Sequence, residues 1–70
     1  MNETYVHVTW SRSANEREVW HLLQRTVSVV RGRFTEQQAE VDATIPGSPG
    51  RVDEVKELLE LGGLHVEVAA

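Results

Sequence analysis

Residues 26–45, TVSVVRGRFTEQQAEVDATI, decide the fold, because they contain two runs of strand-forming residues with no helix between them. In the second run, small or aliphatic residues alternate with polar ones, so an extended segment would have one apolar face and one polar face. The apolar set is Ala39, Val41, Ala43 and Ile45, and the polar set is Glu40, Asp42 and Thr44. This alternation predicts a strand that is buried on one face.

The first run is rich in β-branched residues, which are stiff at χ1 and suit a pleated surface. They are Thr26, Val27, Val29 and Val30. The alternative is a helix that continues to Arg31 and stops at Gly32, but each β-branched residue is a few tenths of a kcal/mol poorer in a helix than Ala or Leu. We therefore predict a hairpin, with a bend or bulge at Gly32 and a connection at residues 35–38.

The residues before the hairpin predict one strand and one helix. Residues 4–11, TYVHVTWS, alternate between apolar and polar side chains, which is typical of a strand with one buried face. Residues 13–16, SANE, have the form of a capping box in which the Ser13 hydroxyl caps a helix and Glu16 reaches back to it. Val19, Leu22 and Leu23 form an apolar stripe at helical spacing, and we expect the helix to end near residues 24–25.

The residues after the hairpin predict a second helix and a last strand. Pro46 and Pro49 in PGSPG stop the third strand, and a helix is expected from about Arg51 to the pair Gly62-Gly63. Its apolar stripe is Val52, Val55, Leu58 and Leu59, and Asp53 and Glu54 are expected near the positive end of the helix dipole. Residues 64–68, LHVEV, alternate again and predict the fourth strand.

The predicted order is β-α-β-β-α-β, an α+β fold of the ferredoxin-like type. Right-handed crossovers give a four-stranded antiparallel sheet of order 4-1-3-2, with both helices on one face and the other face open. Seventy residues suffice for one core only, so residues 1–70 are expected to form a single domain. A core of this size is marginal, which favours a homo-oligomer, such as a homodimer, or a complex with a partner protein.

Composition excludes several classes of function. The chain has no cysteine, so disulfides and thiolate metal sites are excluded, and a reducing cytoplasm suits it. The net charge of −4 argues against binding to nucleic acid or to an anionic membrane, although Arg31 and Arg33 would form a small basic spot on one side of a strand. No apolar run approaches the length of a membrane span, and the first residues lack the features of a secretory signal. We expect a cytoplasmic protein.

The open sheet face should carry most of the polar side chains that could interact with another molecule. Its expected members are Tyr5, His7, Thr9, Ser28, Val30, Glu40, Asp42, Thr44, His65 and Glu67, of which Tyr5, His7, Thr9, Asp42 and His65 are the candidate interaction residues. His7 and His65 would be close to Glu67 or Asp42, a set that zinc or copper can use, but solvent contacts and cross-strand pairs are the commoner use of such residues. We predict no metal site and no cofactor.

Catalytic motifs are absent from the sequence. It contains no G-x-S-x-G elbow, no phosphate-binding glycine loop followed by Lys and no H-E-x-x-H. A metal carrier of the same topology would have Cys-x-x-Cys after the first strand, where this chain has Ser11-Arg12-Ser13-Ala14. We expect a protein that is not an enzyme.

The hairpin resembles a known family. Residues 27–34, VSVVRGRF, resemble the segment that names the NIL domain, a hydrophobic residue followed by Asn-Ile-Leu, one variable residue, Gly, another variable residue and an aliphatic residue. Ser28, Val29 and Val30 stand for Asn-Ile-Leu, Gly32 is kept, and Phe34 stands for the aliphatic residue. The resemblance extends to the first strand, to the alternating third strand and to the ending, and it covers residues 5–68.

The NIL resemblance implies an ACT-like regulatory domain. NIL domains occur at the C-terminus of the ATPase of methionine importers, where they sense methionine, and also beside ferredoxin modules or alone. The resemblance implies binding of methionine or a related amino acid at a subunit interface, near Ser28, Val30, Gly32 and Phe34. The replacement of the Asn by Ser28 changes the one polar group of the motif, because an amide both donates and accepts while a hydroxyl has less reach.

A second hypothesis is a protein-interaction adaptor with no small ligand. The open sheet face or an edge strand would then dock on a partner such as a ferredoxin-type or sulfur-metabolism protein. Binding of an amino acid would favour the first hypothesis, and capture of a partner protein would favour the second.

Overall fold

The structure is a computed structural model that describes residues 2–69. It contains six elements, whose types and order match the predicted pattern. They are β1 (Glu3–Ser11), α1 (Glu16–Thr26), β2 (Ser28–Phe34), β3 (Gln38–Pro46), α2 (Pro49–Leu61) and β4 (His65–Val68). The run of β-branched residues after Arg25 therefore forms a strand from Ser28, and the mid-chain hairpin is confirmed.

The four strands form one sheet of order β2-β3-β1-β4. Each neighbouring pair is antiparallel, with His7 of β1 between Asp42 of β3 and Glu67 of β4. This is the predicted order 4-1-3-2 counted from the other edge, so the ferredoxin-like α+β fold is confirmed. The two central strands are β3 and β1, and the two edges are β2 and β4.

One hydrophobic core lies between the sheet and the two helices. Alternate residues of the strands meet the apolar stripes of the helices there, as periods of two and 3.6 residues require. Leu58 was wrongly predicted to belong to the buried stripe of α2, because its side chain is 47% exposed. The buried apolar residues are Val6, Val8, Trp10, Val19, Leu23, Val27, Ala39, Val41, Ala43, Ile45, Val52, Val55, Leu59, Leu64 and Val66. Trp10 and Trp20 close one end of this core with an edge-to-face contact, their ring centroids 5.6 Å apart.

The start of α1 differs from the predicted capping box. Asn15 is the N-cap, and its side-chain oxygen accepts a hydrogen bond from the Glu18 amide at 3.4 Å. The Ser13 hydroxyl lies instead 2.8 Å from the hydroxyl of Ser11. Glu16 is held by Arg12 at 3.1 Å, so it does not reach back to a cap. The prediction of Ser13 as the cap was wrong because its hydroxyl contacts Ser11 at the end of β1, and Glu16 contacts Arg12 in the turn that follows β1.

The ends of α2 follow from a proline and two glycines. Ser48 is the N-cap and Pro49 the first helical residue, where its missing N–H costs nothing, so the helix starts two residues before the predicted Arg51. The first turn holds no acidic residue, so the prediction that Asp53 and Glu54 lie at the positive end of the helix dipole was wrong. Gly62 and Gly63 end the helix as predicted. Gly63 has a φ of +91°, and the Leu64 amide donates to the Leu59 carbonyl at 3.1 Å.

No helix within residues 2–69 is both long enough and apolar enough to cross a membrane.

Candidate functional site

The open face of the sheet carries the polar residues expected there. In the register of β1 with β3, Tyr5 lies opposite Thr44, His7 opposite Asp42, and Thr9 opposite Glu40. On the other side of β1, His7 lies opposite Glu67 and Thr9 opposite His65. The five candidate interaction residues Tyr5, His7, Thr9, Asp42 and His65 therefore stand on one face, with His7 near its middle.

A chain of charged contacts crosses three strands of this face. His7 Nδ1 lies 2.9 Å from Asp42 Oδ1, and its Nε2 lies 3.4 Å from Glu40 Oε1. The other oxygen of Asp42, Oδ2, forms an ion pair with Arg31, whose Nε lies 3.4 Å away. Because Arg31 belongs to β2 and His7 to β1, Asp42 connects the edge strand to the centre of the sheet.

These contacts shift the titration of two groups in opposite directions. The hydrogen bond to Asp42 raises the pKa of His7 above its ordinary value of 6.5, and the bond to Glu40 adds to the effect. The hydrogen bond from His7 lowers the pKa of Asp42 below its ordinary value of 3.8, with a further contribution from the Arg31 charge. The protonated imidazole and the ionised carboxylate therefore stabilise each other.

A β-bulge in β2 determines which of its side chains reach the open face. Val29 pairs with Ala43 and Arg31 with Asp42, so Val30 is an extra residue with no partner of its own. Val30 and Arg31 line a depression of about 210 Å³ together with residues of β1 and β3. Its lining is Tyr5, Val6, His7, Val30, Arg31, Asp42 and Ala69. The bulge lies at Val30, two residues before Gly32, so the prediction of a bend or bulge at Gly32 was wrong in position.

The four residues that the NIL resemblance implied as ligand contacts do not lie on one face. Ser28 pairs with Thr44 and Val30 lines the depression, so both belong to the open face. Gly32 and Phe34 pair instead with Val41 and Ala39, which are buried on the helix side. The bulge causes this division, because it shifts the alternation of β2 by one residue.

Phe34 has a structural partner on the helix side. Its ring centroid lies 6.0 Å from that of Trp20, and the Arg12 guanidinium carbon lies 5.5 Å above it. The ring also covers Gly32, where an added Cβ atom would lie 3.0 Å from the Phe34 Cζ atom. A side chain at position 32 would therefore require the Phe34 ring to move by a few tenths of an ångström.

The two histidines of the open face have different partners. His7 contacts Asp42 and Glu40, whereas His65 Nε2 lies 3.2 Å from Glu67 Oε1 on its own strand. In the described part of the chain, no group of three or more His, Asp or Glu side chains is arranged to hold a metal ion.

Arg31 belongs to this site but was not among the candidate residues predicted from the sequence. The alternation placed it with Arg33 as a basic spot, but its contact with Asp42 depends on the bulge and the register of the hairpin. A negative charge on β3 opposite a basic β2 was the one signal that could have found it.

Comparison with known proteins adds no relative: no family model matches the chain, and no curated protein matches it.

Proposed function

We propose that this chain is a non-catalytic, ligand-sensing domain that binds a small amino-acid-like molecule in the depression between Tyr5 and Val30. The observation that carries this proposal is the bulge in β2, which brings Val30 and Arg31 to the same side as Tyr5 and Asp42. The resemblance of the hairpin to the NIL domain supports methionine as the first ligand to test.

The charged groups of the depression match the two ends of an amino acid. The Arg31 side chain is 78% exposed and can turn from Asp42 to donate two parallel hydrogen bonds to a ligand carboxylate. The Asp42 carboxylate then accepts from the ligand ammonium group. Each end of a zwitterion thus has an oppositely charged partner at the same place.

The apolar groups of the depression suit a short aliphatic or thioether side chain. Tyr5 and Val30 are each 61% exposed, although both are large enough to be core residues. A ligand side chain between them would cover both. The volume of about 210 Å³ is below the range of about 300–1,000 Å³ that drug-sized molecules occupy, which favours a small ligand.

Two expectations from the sequence remain part of this proposal. The depression borders the edge strand β2, so a second subunit paired along that strand would lie beside the ligand and complete a site at a subunit interface. A cytoplasmic location, where free amino acids are plentiful, fits a sensing role.

Calorimetric titration with methionine and a panel of amino acids tests the proposal. We expect heat of binding with the wild-type protein, and affinity at least about tenfold lower for Arg31→Ala, since a charged hydrogen bond contributes about 1.5–3 kcal/mol. The matched control is Arg33→Ala, which removes the same side chain two positions along β2 and outside the depression, and which should bind normally.

The proposal is overturned if no amino acid at millimolar concentration gives heat or a thermal shift. A ligand present at about 100 times its Kd would add about 2.7 kcal/mol to the free energy of unfolding, which thermal melting detects easily. Equal loss of binding in Arg31→Ala and Arg33→Ala would place the ligand elsewhere on β2.

A second candidate function, a protein-interaction adaptor, is favoured by the edge strand itself. All seven residues of β2 are exposed, and the strand is paired on one side only. An extended segment of a partner, such as a ferredoxin-type protein, would add to this edge through main-chain hydrogen bonds.

Hydrogen exchange distinguishes this adaptor from the amino-acid sensor. A partner that docks on β2 should slow exchange of the outward amides of residues 28–34, with no change in α2. A complex that forms without slowing these amides would contradict edge docking.

A further inference from the structure

The outer surfaces of the two helices carry rows of opposite charge. One row on α1 consists of basic residues spaced four apart, and one row on α2 consists of acidic residues spaced four and three apart, so each row lies along one side of its helix. The basic row is Arg17, His21 and Arg25, and the acidic row is Asp53, Glu57 and Glu60. All six side chains are exposed.

Among the residues that the structure describes, neither row finds its opposite charge. Across residues 2–69, the ion pairs of the helices are Arg12 with Glu16 at 3.1 Å and Arg51 with Glu54 at 3.4 Å. No member of the basic row lies within 4.0 Å of a described carboxylate, and no member of the acidic row lies within 4.0 Å of a described cation. Both rows are therefore available to another molecule.

Apolar surface accompanies both rows. The basic row borders a depression of about 400 Å³ that also contains Glu18 and the half-buried Leu22. On α2, Leu61 follows the acidic row and is 82% exposed, and Leu58 is exposed as well. A leucine and a depression of this size can fit each other, and their contact would remove apolar surface from water.

We propose that two copies of this chain pair through their helices, with α1 of each copy packed antiparallel on α2 of the other. At about 1.5 Å per residue, the basic row is about 12 Å long and the acidic row about 10.5 Å long. Antiparallel packing places Arg17 against Glu60, His21 against Glu57 and Arg25 against Asp53 of the other copy. One two-fold axis generates both helix contacts, which makes the interface isologous.

A second copy of this chain is the partner that fits, because the basic row and the acidic row that complement each other are both on the same chain. Each copy supplies one basic row and one acidic row, so a pair satisfies all four rows at once. A seventy-residue core also gains from covering Leu61 and Leu58. This interface goes beyond the proposed ligand site, since it uses the helix side of the molecule and leaves the open sheet face and β2 free.

Sedimentation equilibrium on charge-reversed variants tests the interface. One variant reverses the basic row with Arg17→Glu and Arg25→Glu, and the other reverses the acidic row with Asp53→Arg and Glu60→Arg. We expect the wild-type protein to dimerise and each variant alone to dimerise roughly a hundredfold more weakly, because like charges then face each other. An equimolar mixture of the two variants should restore dimers, since every row then meets an opposite charge.

The controls separate this interface from loss of folding and from other surfaces. Circular dichroism checks that each variant is folded, and Glu3→Arg with Glu36→Arg, a matched double reversal at exposed residues outside both helices, should leave dimerisation unchanged. A test that needs no variant is salt: at 1 M it shortens the screening length to about 3 Å, which should weaken the wild-type dimer.

Three results would overturn the proposal. The first is a wild-type protein that stays monomeric at millimolar concentration. The second is a dimer that is insensitive both to salt and to reversal of either row. The third is a mixture of the two variants that fails to restore dimers while both are folded.

Discussion

The strands β2 and β3 are the two arms of one hairpin, yet they have opposite environments. β3 lies between β2 and β1, and its inward residues Ala39, Val41, Ala43 and Ile45 are almost completely buried. β2 lies at an edge, all seven of its residues are exposed, and its alternation is broken at Val30. A register slip of one residue in β3 would expose its four inward apolar side chains to water, whereas β2 tolerates a bulge. The fold thus depends on β3, and β2 is the strand on which a binding site can form.

The largest expected difference between β3 and β2 is in how much stability is lost when one side chain is truncated. Ile45→Ala in β3 should lower the free energy of unfolding by about 2–5 kcal/mol, because it removes buried methyl groups and leaves a cavity. Val30→Ala in β2 should change it by less than about 0.5 kcal/mol, because this side chain is largely exposed. Urea unfolding measures both. Similar losses of unfolding free energy in the two variants would show that Val30 of β2 contributes to the core, and would contradict the difference between the two strands.

A smaller effect is expected where β2 does touch the helix side. Gly32→Ala places a methyl group against the Phe34 ring, whose outer atoms must then move, and we expect a coupling of about 0.5–1 kcal/mol with this half-exposed ring. Once Phe34→Ala has removed the ring, the same substitution should become neutral or stabilising. A double-mutant cycle with urea unfolding measures this coupling. An equal effect of Gly32→Ala in both backgrounds would contradict the close contact.

The smallest effect concerns the contact that connects β3 to β1 on the open face. The raised pKa of His7 stabilises the fold fully below 6.5, and this contribution is lost as the pH rises through the folded value. The lowered pKa of Asp42 stabilises the fold above 3.8, and this contribution is lost as the pH falls through the folded value.

His7→Gln should therefore lower stability most between pH 3.8 and 6.5. Urea midpoints of the wild type and the variant across this range measure the effect. It should be small because water screens these exposed groups. A difference that is the same at about pH 5 and about pH 9 would rule out the charged contact.

The sequence predicted the fold because its pattern is carried by buried positions. The alternation of β3 and the stripes of the two helices each leave one arrangement that covers the apolar residues, and the glycines at 62 and 63 mark a helix end by their backbone freedom. Contacts between small polar groups were harder to predict. Ser13 and Asn15 are both residue types that cap helices well. Asn15 is the cap here because the Ser13 hydroxyl contacts the Ser11 hydroxyl, a contact that the sequence does not reveal.

The candidate site was predictable only in part. Tyr5, His7 and Asp42 follow from strict alternation, and the structure places them together. The position of Val30 and the contact of Arg31 with Asp42 depend on a bulge that no residue type announces, since Gly32 was the better candidate for it. A shift of one residue in an edge strand costs little, so the sequence pattern constrains it weakly.

The central claim is that the bulge in β2 creates a binding site for an amino acid on the open face. The most direct measurement is an NMR titration of the labelled protein with methionine and other amino acids, following the backbone amides. We expect saturable shifts at Tyr5, Val30, Arg31 and Asp42, with little change at Phe34 and along α2. Saturable shifts confined to Gly32, Phe34 and their helix-side neighbours, or no shifts with any amino acid, would contradict it.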